Sequence, residues 1–240
     1  MPKIICHMIS SIDGRLYPER WTAGPDAEGA DITSVYEGAA SHFADAAGWI
    51  VGRTTMAEYA DSVSEHEPAA ERTDGSTPAP FVGDRQGRKL AVVFDPKGKL
   101  HYEESGLPTG EHLVAVLSPK VGDAYLEGLR KAGVSYVFAA DEKAPLASGL
   151  AAVETTFDAH FLLLEGGGVI NGAFLKAGLI DEISIVVYPA VDGLSGVSSI
   201  FEYKGAEGEK PAQGQHLKFI SAETLAGGAV WLRYSVVKEK

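Results

Sequence analysis

The 240-residue chain has one cysteine, Cys6, which leaves it without an intramolecular disulfide or a multi-thiolate metal site. That scarcity agrees with a reducing compartment. The apolar run at the N-terminus is stopped by Ser10, Ser11 and Asp13, so the h-region and cleavage pattern of a signal peptide are missing, and a cytoplasmic protein is expected. Long hydrophobic runs are missing too. The most apolar stretches, 160–164 and 183–191, fall far short of the roughly 20 residues that cross a bilayer, so no membrane partner is expected. Positive charge is in deficit: 21 Lys+Arg against 33 Asp+Glu give a net charge of −12, which repels nucleic acid and anionic surfaces. The sequence also lacks HExxH, a cysteine pair, GxSxG, GxxxxGK[ST] and, after the first apolar run, GxGxxG; its seven histidines are scattered. Metal-assisted hydrolysis and triad chemistry therefore have no scaffold, no metal is expected, and an ordinary Rossmann dehydrogenase is disfavoured.

What remains is rich enough to fold. Hydrophobic residues make up 45% of the chain and charged residues 22%, so a substantial core is available. Residues 3–10 form a compact β-branched run that predicts a buried strand. Helical spacing follows over 30–47, with Asp31 and Thr33 as candidate caps, then a short strand at 49–51 and a second helix starting near Thr54. Residues 61–88 are polar and carry Pro68, Pro78 and Pro80, which predicts a long excursion and a candidate flap. From Lys89 strands and helices alternate: strands at 90–94, 113–117, 135–139 and 160–164, helices at 122–132, 146–157 and 169–177. Such alternation predicts a mostly parallel sheet covered by helices on both faces. After an apolar stretch at 181–188, the runs 216–222 and 229–237, separated by Ala226-Gly227-Gly228, predict an antiparallel hairpin at one sheet edge. No linker divides the chain, so a single α/β domain over 1–240 with an insertion at about 61–88 is expected.

Three segments carry chemistry. In EGGGVINGAFLKAG, residues 165–178, three glycines follow an apolar strand and open a helix. Backbone without Cβ atoms allows close approach of a ligand, and the helix N-terminus supplies N–H groups and positive potential suited to phosphate. A tight strand-to-helix turn with no ligand explains the same glycines. In WIVGRTTM, residues 49–56, Arg53 offers a cationic fork and Thr54 and Thr55 hydroxyls that can cap or meet a phosphate; a capped helix with a surface arginine is the plainer alternative. Two such strand ends suit the two phosphate regions of a dinucleotide. In HMISSIDGR, residues 7–15, a two-residue period running past Ser10 places His7, Ile9, Ser11 and Asp13 on one side, so that an imidazole, a hydroxyl and a carboxylate line one pocket. The alternatives are a satisfied core histidine and an ordinary Asp-Gly turn.

SSIDGR, ITS at 32–34, VGRTTM, VVFDPKGKL, LLLEGGGVINGAFLKAGLIDE and YPAVDG, in this order, make the chain similar to the reductase domain of bacterial riboflavin biosynthesis, which shares its fold with dihydrofolate reductase. The resemblance implies a three-layer α/β sandwich, NADPH as hydride donor, a small heterocyclic substrate and a homodimer. It implies cofactor contacts from Gly52, Arg53, Thr54 and Thr55, from Gly166, Gly167, Gly168, Val169 and Ile170, and from Ser118 and Lys120 near the adenosine phosphate. Trp21 matches an aromatic near the nicotinamide. Asp13 and Glu165, with Ser11 beside them, match the acidic lining of the substrate pocket. The family's lysine six residues before the Asp of S-x-D-G is replaced here by His7, and its helix arginine by the stretch Tyr36-Glu37-Gly38. The resulting expectation is a pyrimidine-reductase-like enzyme in which Asp13 and Glu165 orient the substrate and His7 is a candidate proton source. Dihydrofolate reduction and NADPH binding without turnover are the alternatives.

Overall fold

The computed structural model describes residues 1–22, 31–64, 72 and 77–239. It divides into two compact units, one built from 1–2 and 47–162, the other from 3–46 and 163–240.

The first unit is a parallel sheet in the order β2 (Gly48–Gly52), β4 (Leu90–Phe94), β6 (His112–Leu117) and β7 (Ser135–Phe138). Gly52, Phe94 and Val116 lie in register across the first three strands, so all of these strands end on the same side. Every residue of β4, β6 and β7 is buried, as expected for strands covered on both faces. Helix α3 (Asp123–Ala132) contributes Tyr125, Leu126 and Leu129 to a core with Val93, Leu113, Ala115 and Tyr136. Helix α4 (Pro145–Phe157) covers the opposite face: a Cβ at Gly149 would stand 2.7 Å from Val116. The helix α2 (Arg53–Met56) begins directly at the end of β2, one residue earlier than the Thr capping pattern predicts.

The excursion at 61–88 is partly anchored. Strand β3 (Ser62–Val63) pairs with β5 (Leu100–His101), and Phe81 bridges to Tyr136. Its segments 65–71 and 73–76 lie outside the described residues. At the foot of β6 the buried His112 accepts from Arg88 through Nδ1 at 3.3 Å and is bonded through Nε2 to Ser135 Oγ at 2.7 Å, which accepts from the Gly83 amide. Burial, then the charges of Arg88 and Arg85, push its pKa down to about 4.

The second unit is built on β1 (Lys3–Ser10), paired parallel to β9 (Glu182–Val187), which pairs antiparallel to β11 (Val230–Lys238) and that to β10 (Gln215–Thr224). β8 (Phe161–Leu164) precedes the glycine loop, and α5 (Gly168–Lys176) follows it. Helix α1 spans Ile32–Ala40, capped by Asp31, which accepts from the Ser34 amide at 3.1 Å. Asp31 rather than Thr33 is the cap, and the helix is shorter than the 30–47 spacing predicts, because a 3-10 turn at Ser41–Phe43 ends it. The predicted terminal hairpin is present, with longer strands than the apolar runs marked. The α/β class, the largely parallel pairing and the antiparallel C-terminal hairpin all match the expectation from sequence.

Candidate functional site

β1 stops at Ser10, and a turn follows, so the two-residue period does not continue to Asp13. The expected row of His7, Ile9, Ser11 and Asp13 is therefore not formed; the turn chemistry of S-x-D-G overrides the strand alternation. Ser11 Oγ donates to Asp13 Oδ1 at 2.6 Å and accepts from the Arg15 amide at 3.0 Å. Asp13 also accepts from the amides of Gly193, at 2.9 Å, and Asp192, at 3.2 Å. These bonds, led by that from Ser11 and then that from Gly193, hold the Asp13 carboxyl down to about 2. Asp13 thus ties the end of β1 to the loop after β9 and stays ionised at any working pH.

His7 is fully buried. It lies opposite Ser184 in the β1–β9 register, and its Nδ1 is 2.9 Å from Ser184 Oγ, which also accepts from Trp231 Nε1 at 2.8 Å. The ring stacks on Tyr36, centroids 4.7 Å apart, and meets the edge of Phe43 at 5.4 Å. Nε2 has no hydrogen-bond partner among the described residues. Burial, assisted by the charge of Arg233, pushes the imidazole down to about 4, so it is neutral at neutral pH.

Sequence reasoning passed over Tyr36 except as the occupant of an arginine position. The structure has its hydroxyl donate to the His7 carbonyl at 3.4 Å, beside the carboxylate of Glu165, the residue that follows β8. Burial, then the Glu165 charge, raise the phenol well above its ordinary value, so it remains a proton-bearing donor. The signal available in the sequence was the position itself: Tyr36 follows Ile32 by four residues, on a helix whose buried positions are Val35 and Ala39.

After Glu165 comes the glycine loop. Gly166 has φ of +99°, a conformation open to glycine, and a Cβ there would stand 2.9 Å from Met8 Cε. Gly167 is the N-cap of α5. The amides of Gly168, Val169 and Ile170 are in the first helical turn, where no carbonyl of the helix can reach them, and Val169 is half exposed. A nine-residue helix whose first amides have no partner within the helix itself fits an anionic group of a nucleotide cofactor. The glycines have a second cause that the sequence did not reveal. A Cβ at Gly168 would stand 2.1 Å from Ser199 O, and one at Gly172 2.3 Å from Glu202 O. The Glu202 amide donates to Gly168 O at 2.9 Å, and Asn171 Nδ2 donates to Ile200 O at 2.9 Å, so the 199–203 segment is clamped onto α5. Trp21 stacks on Tyr188 at 5.9 Å, with its ring nitrogen buried and without a partner among the described residues.

In the first unit, Gly52, Arg53, Thr54 and Thr55 stand at the carboxyl end of β2, with Arg53 and Thr54 exposed. Ser118 follows β6, its hydroxyl accepting from the Lys120 amide at 3.2 Å, and Lys120 Nζ lies 2.7 Å from Glu142. Asp95, after β4, is buried and accepts from the amides of Lys99 and Leu100, so its side chain closes the Asp-Pro loop between β4 and β5. Among the described residues no group of three or more His, Cys, Asp or Glu is placed to hold a metal, and no helix is long and apolar enough to cross a membrane.

The sequence profile of the RibD C-terminal domain matches residues 2–231. The chain belongs to that family. RibD C-terminal domains are riboflavin-pathway reductases, and the family implies a nicotinamide cofactor. No curated protein matches the chain in sequence. Its fold is that of a pyrimidine reductase-like protein from Corynebacterium diphtheriae, with 17% identity and a TM-score of 0.67 over 99% of this chain and 93% of the other. It is similar as well to RibD of Acinetobacter baumannii, with 21% identity and a TM-score of 0.62 over 99% of this chain and 58% of that one. A third is the diaminohydroxyphosphoribosylaminopyrimidine deaminase/5-amino-6-(5-phosphoribosylamino)uracil reductase of Thermotoga maritima, with 12% identity and a TM-score of 0.57 over 98% and 57%. The chain spans little more than half of the latter two proteins.

Proposed function

We propose that this RibD-family chain is an NADPH-dependent reductase of a small heterocyclic substrate, of the pyrimidine-reductase type. The observation that carries the proposal is the glycine loop: a half-buried carboxylate, Glu165, followed at once by backbone amides that open α5. When bound, the cofactor supplies hydride. In the 163–240 segment, the amides of Gly168, Val169 and Ile170 would bond a phosphate oxygen. In the other unit, Gly52 to Thr55 and Ser118 are the candidate contacts, and the Arg53 guanidinium is the exposed fork suited to the extra phosphate that distinguishes NADPH from NADH. Glu165 accepts from the substrate, Tyr36 stands beside that carboxylate, and Asp13 sets the turn after β1. His7, neutral and bonded to Ser184, supports the Tyr36 ring and is not an acidic proton source at neutral pH.

Calorimetry with NADPH and NADH, followed by NADPH oxidation with aminouracil nucleotides and nucleosides and with dihydrofolate, tests the reading. NADPH binding tighter than NADH, weakened by Arg53→Ala, is expected. No binding of either cofactor contradicts it; oxidation with dihydrofolate alone reassigns the substrate; binding without any turnover favours a non-catalytic NADPH-binding protein.

We also infer a homodimer formed through β10. This ten-residue strand is the last in its sheet and exposes Leu217 at 55% and Phe219 at 60%, on the face shared with Tyr234 and Val236 of β11. A long apolar edge strand invites pairing, and antiparallel pairing of two copies of β10 is self-complementary about a two-fold axis.

A further inference from the structure

Arg15, which closes S-x-D-G-R, contacts a segment that leads to the glycine loop. Residues 197–203 form neither strand nor helix, and Ser199 makes an isolated antiparallel bridge to Arg15. A segment without a ladder lies where a few bonds at its ends put it. At one end Arg15 Nη1 donates to Val197 O at 2.6 Å, and the Leu16 amide donates to Ser198 O at 3.2 Å. The base of that arginine is fixed. Its amide donates to Ser11 Oγ at 3.0 Å, its carbonyl accepts from the Ser11 amide at 3.1 Å, and Asp13, 3.8 Å from its Nε, is bound by the amides of Asp192 and Gly193. At the other end the Glu202 amide donates to Gly168 O at 2.9 Å, and the wholly buried Asn171 donates to Ile200 O at 2.9 Å. Gly168 and Gly172 let this backbone lie directly against α5, with no room for a side chain between them.

On the reading that the α5 amides receive a phosphate of the dinucleotide, we propose that Arg15 is a positioning residue for that site: through the 197–203 strap it sets the first turn of α5. Gly168 is the first residue of the helix. Its carbonyl is the acceptor that the strap holds, and its amide, with those of Val169 and Ile170, is a donor to the phosphate, so a strap that moves takes the donors with it. Such donors act only when held within about 0.5 Å of the productive geometry. The strap thereby joins the turn after β1 to the loop after β8, two segments far apart in the chain, and Arg15 serves the cofactor through backbone rather than through its own charge.

The test uses the full chain, 15N-labelled, as wild type, Arg15→Met, Arg15→Lys and Gly172→Ala. Without cofactor, hydrogen exchange of the Glu202 amide should be about tenfold faster in Arg15→Met, the scale of one lost bond from a charged donor, and should rise by a larger factor than exchange in β9. Arg15→Lys should restore most of the protection. An unchanged Glu202 amide overturns the proposal, and so does equal acceleration at Glu202 and in β9, which marks a general loss of stability. With NADPH, Kd should rise about fivefold or more in Arg15→Met, the low end of coupling between sites, and recover in Arg15→Lys. Gly172→Ala displaces the strap from its other end and should also weaken NADPH, and the double variant Arg15→Met with Gly172→Ala should bind no worse than the weaker single variant. Additive losses, or weaker NADPH binding with an undisturbed Glu202 amide, assign Arg15 a role by charge alone and overturn the proposal. A wild type that does not bind NADPH removes the reductase reading instead, while the exchange rates still decide whether Arg15 sets the strap.

Discussion

Acidification should unfold this protein earlier than its carboxylates alone require, because His7 is buried in neutral form. In the unfolded chain an imidazole takes a proton below its ordinary value of 6.5, whereas in the folded chain His7 takes one only near about 4. Between those values the unfolded state binds more protons, so stability falls as pH drops through that window. The full difference corresponds to about 3 kcal/mol, and about 2.5 kcal/mol of it is lost by roughly pH 4.5. Urea unfolding of the wild type and of His7→Asn, measured in steps from pH 7.5 to 4.5, isolates the contribution. The variant retains a polar partner for Ser184 and cannot titrate, so the gap between the two proteins should narrow with acidification by about 2 kcal/mol or more. The His112 contribution has the same sign and cancels in the comparison. A gap independent of pH, or an imidazole titrating near 6.5 by NMR, refutes the reasoning.

Gly168→Ala and Gly172→Ala should each cost about 1–3 kcal/mol in stability, since the added methyl meets the carbonyls of Ser199 and Glu202; thermal denaturation in the absence of cofactor checks this, and an unchanged Tm contradicts the packing role. Asp13→Asn should lower the Tm at neutral pH. Because the carboxyl is held at about 2, the stabilising charge is present above the ordinary aspartate range and is lost as pH falls through about 2; a Tm equal to wild type at pH 7 contradicts the tie to Gly193. If the proposed dimer forms through β10, the wild type should sediment as a dimer and Leu217→Glu with Phe219→Glu as a monomer with the far-UV spectrum preserved; a wild-type monomer, or a variant that remains dimeric, excludes β10 as the interface.

The strands that coincide with their sequence runs, Lys3–Ser10 and Leu90–Phe94, are uninterrupted β-branched segments bounded by polar turns, where local propensity and burial agree. The helices α3, α4 and α5 were legible for a related reason: Gly133 in αL, Pro145 at the first turn and the glycines before α5 mark their ends. The strand pair β3 and β5 was not legible, because each is two residues long and held by a partner far along the chain. The site was legible in part. The glycine loop stood out, yet the contacts that make Gly168 and Gly172 necessary come from 199–203, a non-local partner that no local pattern encodes. His7 and Asp13 stood out as chemical groups, and only their hydrogen bonds reveal one as a buried neutral ring and the other as a turn clamp. Tyr36 escaped because a tyrosine on an amphipathic helix reads as packing until its hydroxyl is found on the His7 carbonyl, beside Glu165.

The central claim is that the amides opening α5 receive a phosphate of the reduced dinucleotide. Titrating NADPH into uniformly 15N-labelled protein and following the amide resonances of Gly166, Gly168, Val169 and Ile170 tests it most directly. The account predicts that these amides shift in a saturable way and that NADPH protects them from solvent exchange. Amides that stay in place while NADPH binds elsewhere contradict it, and the loop would then serve only to seat the 199–203 segment on its helix.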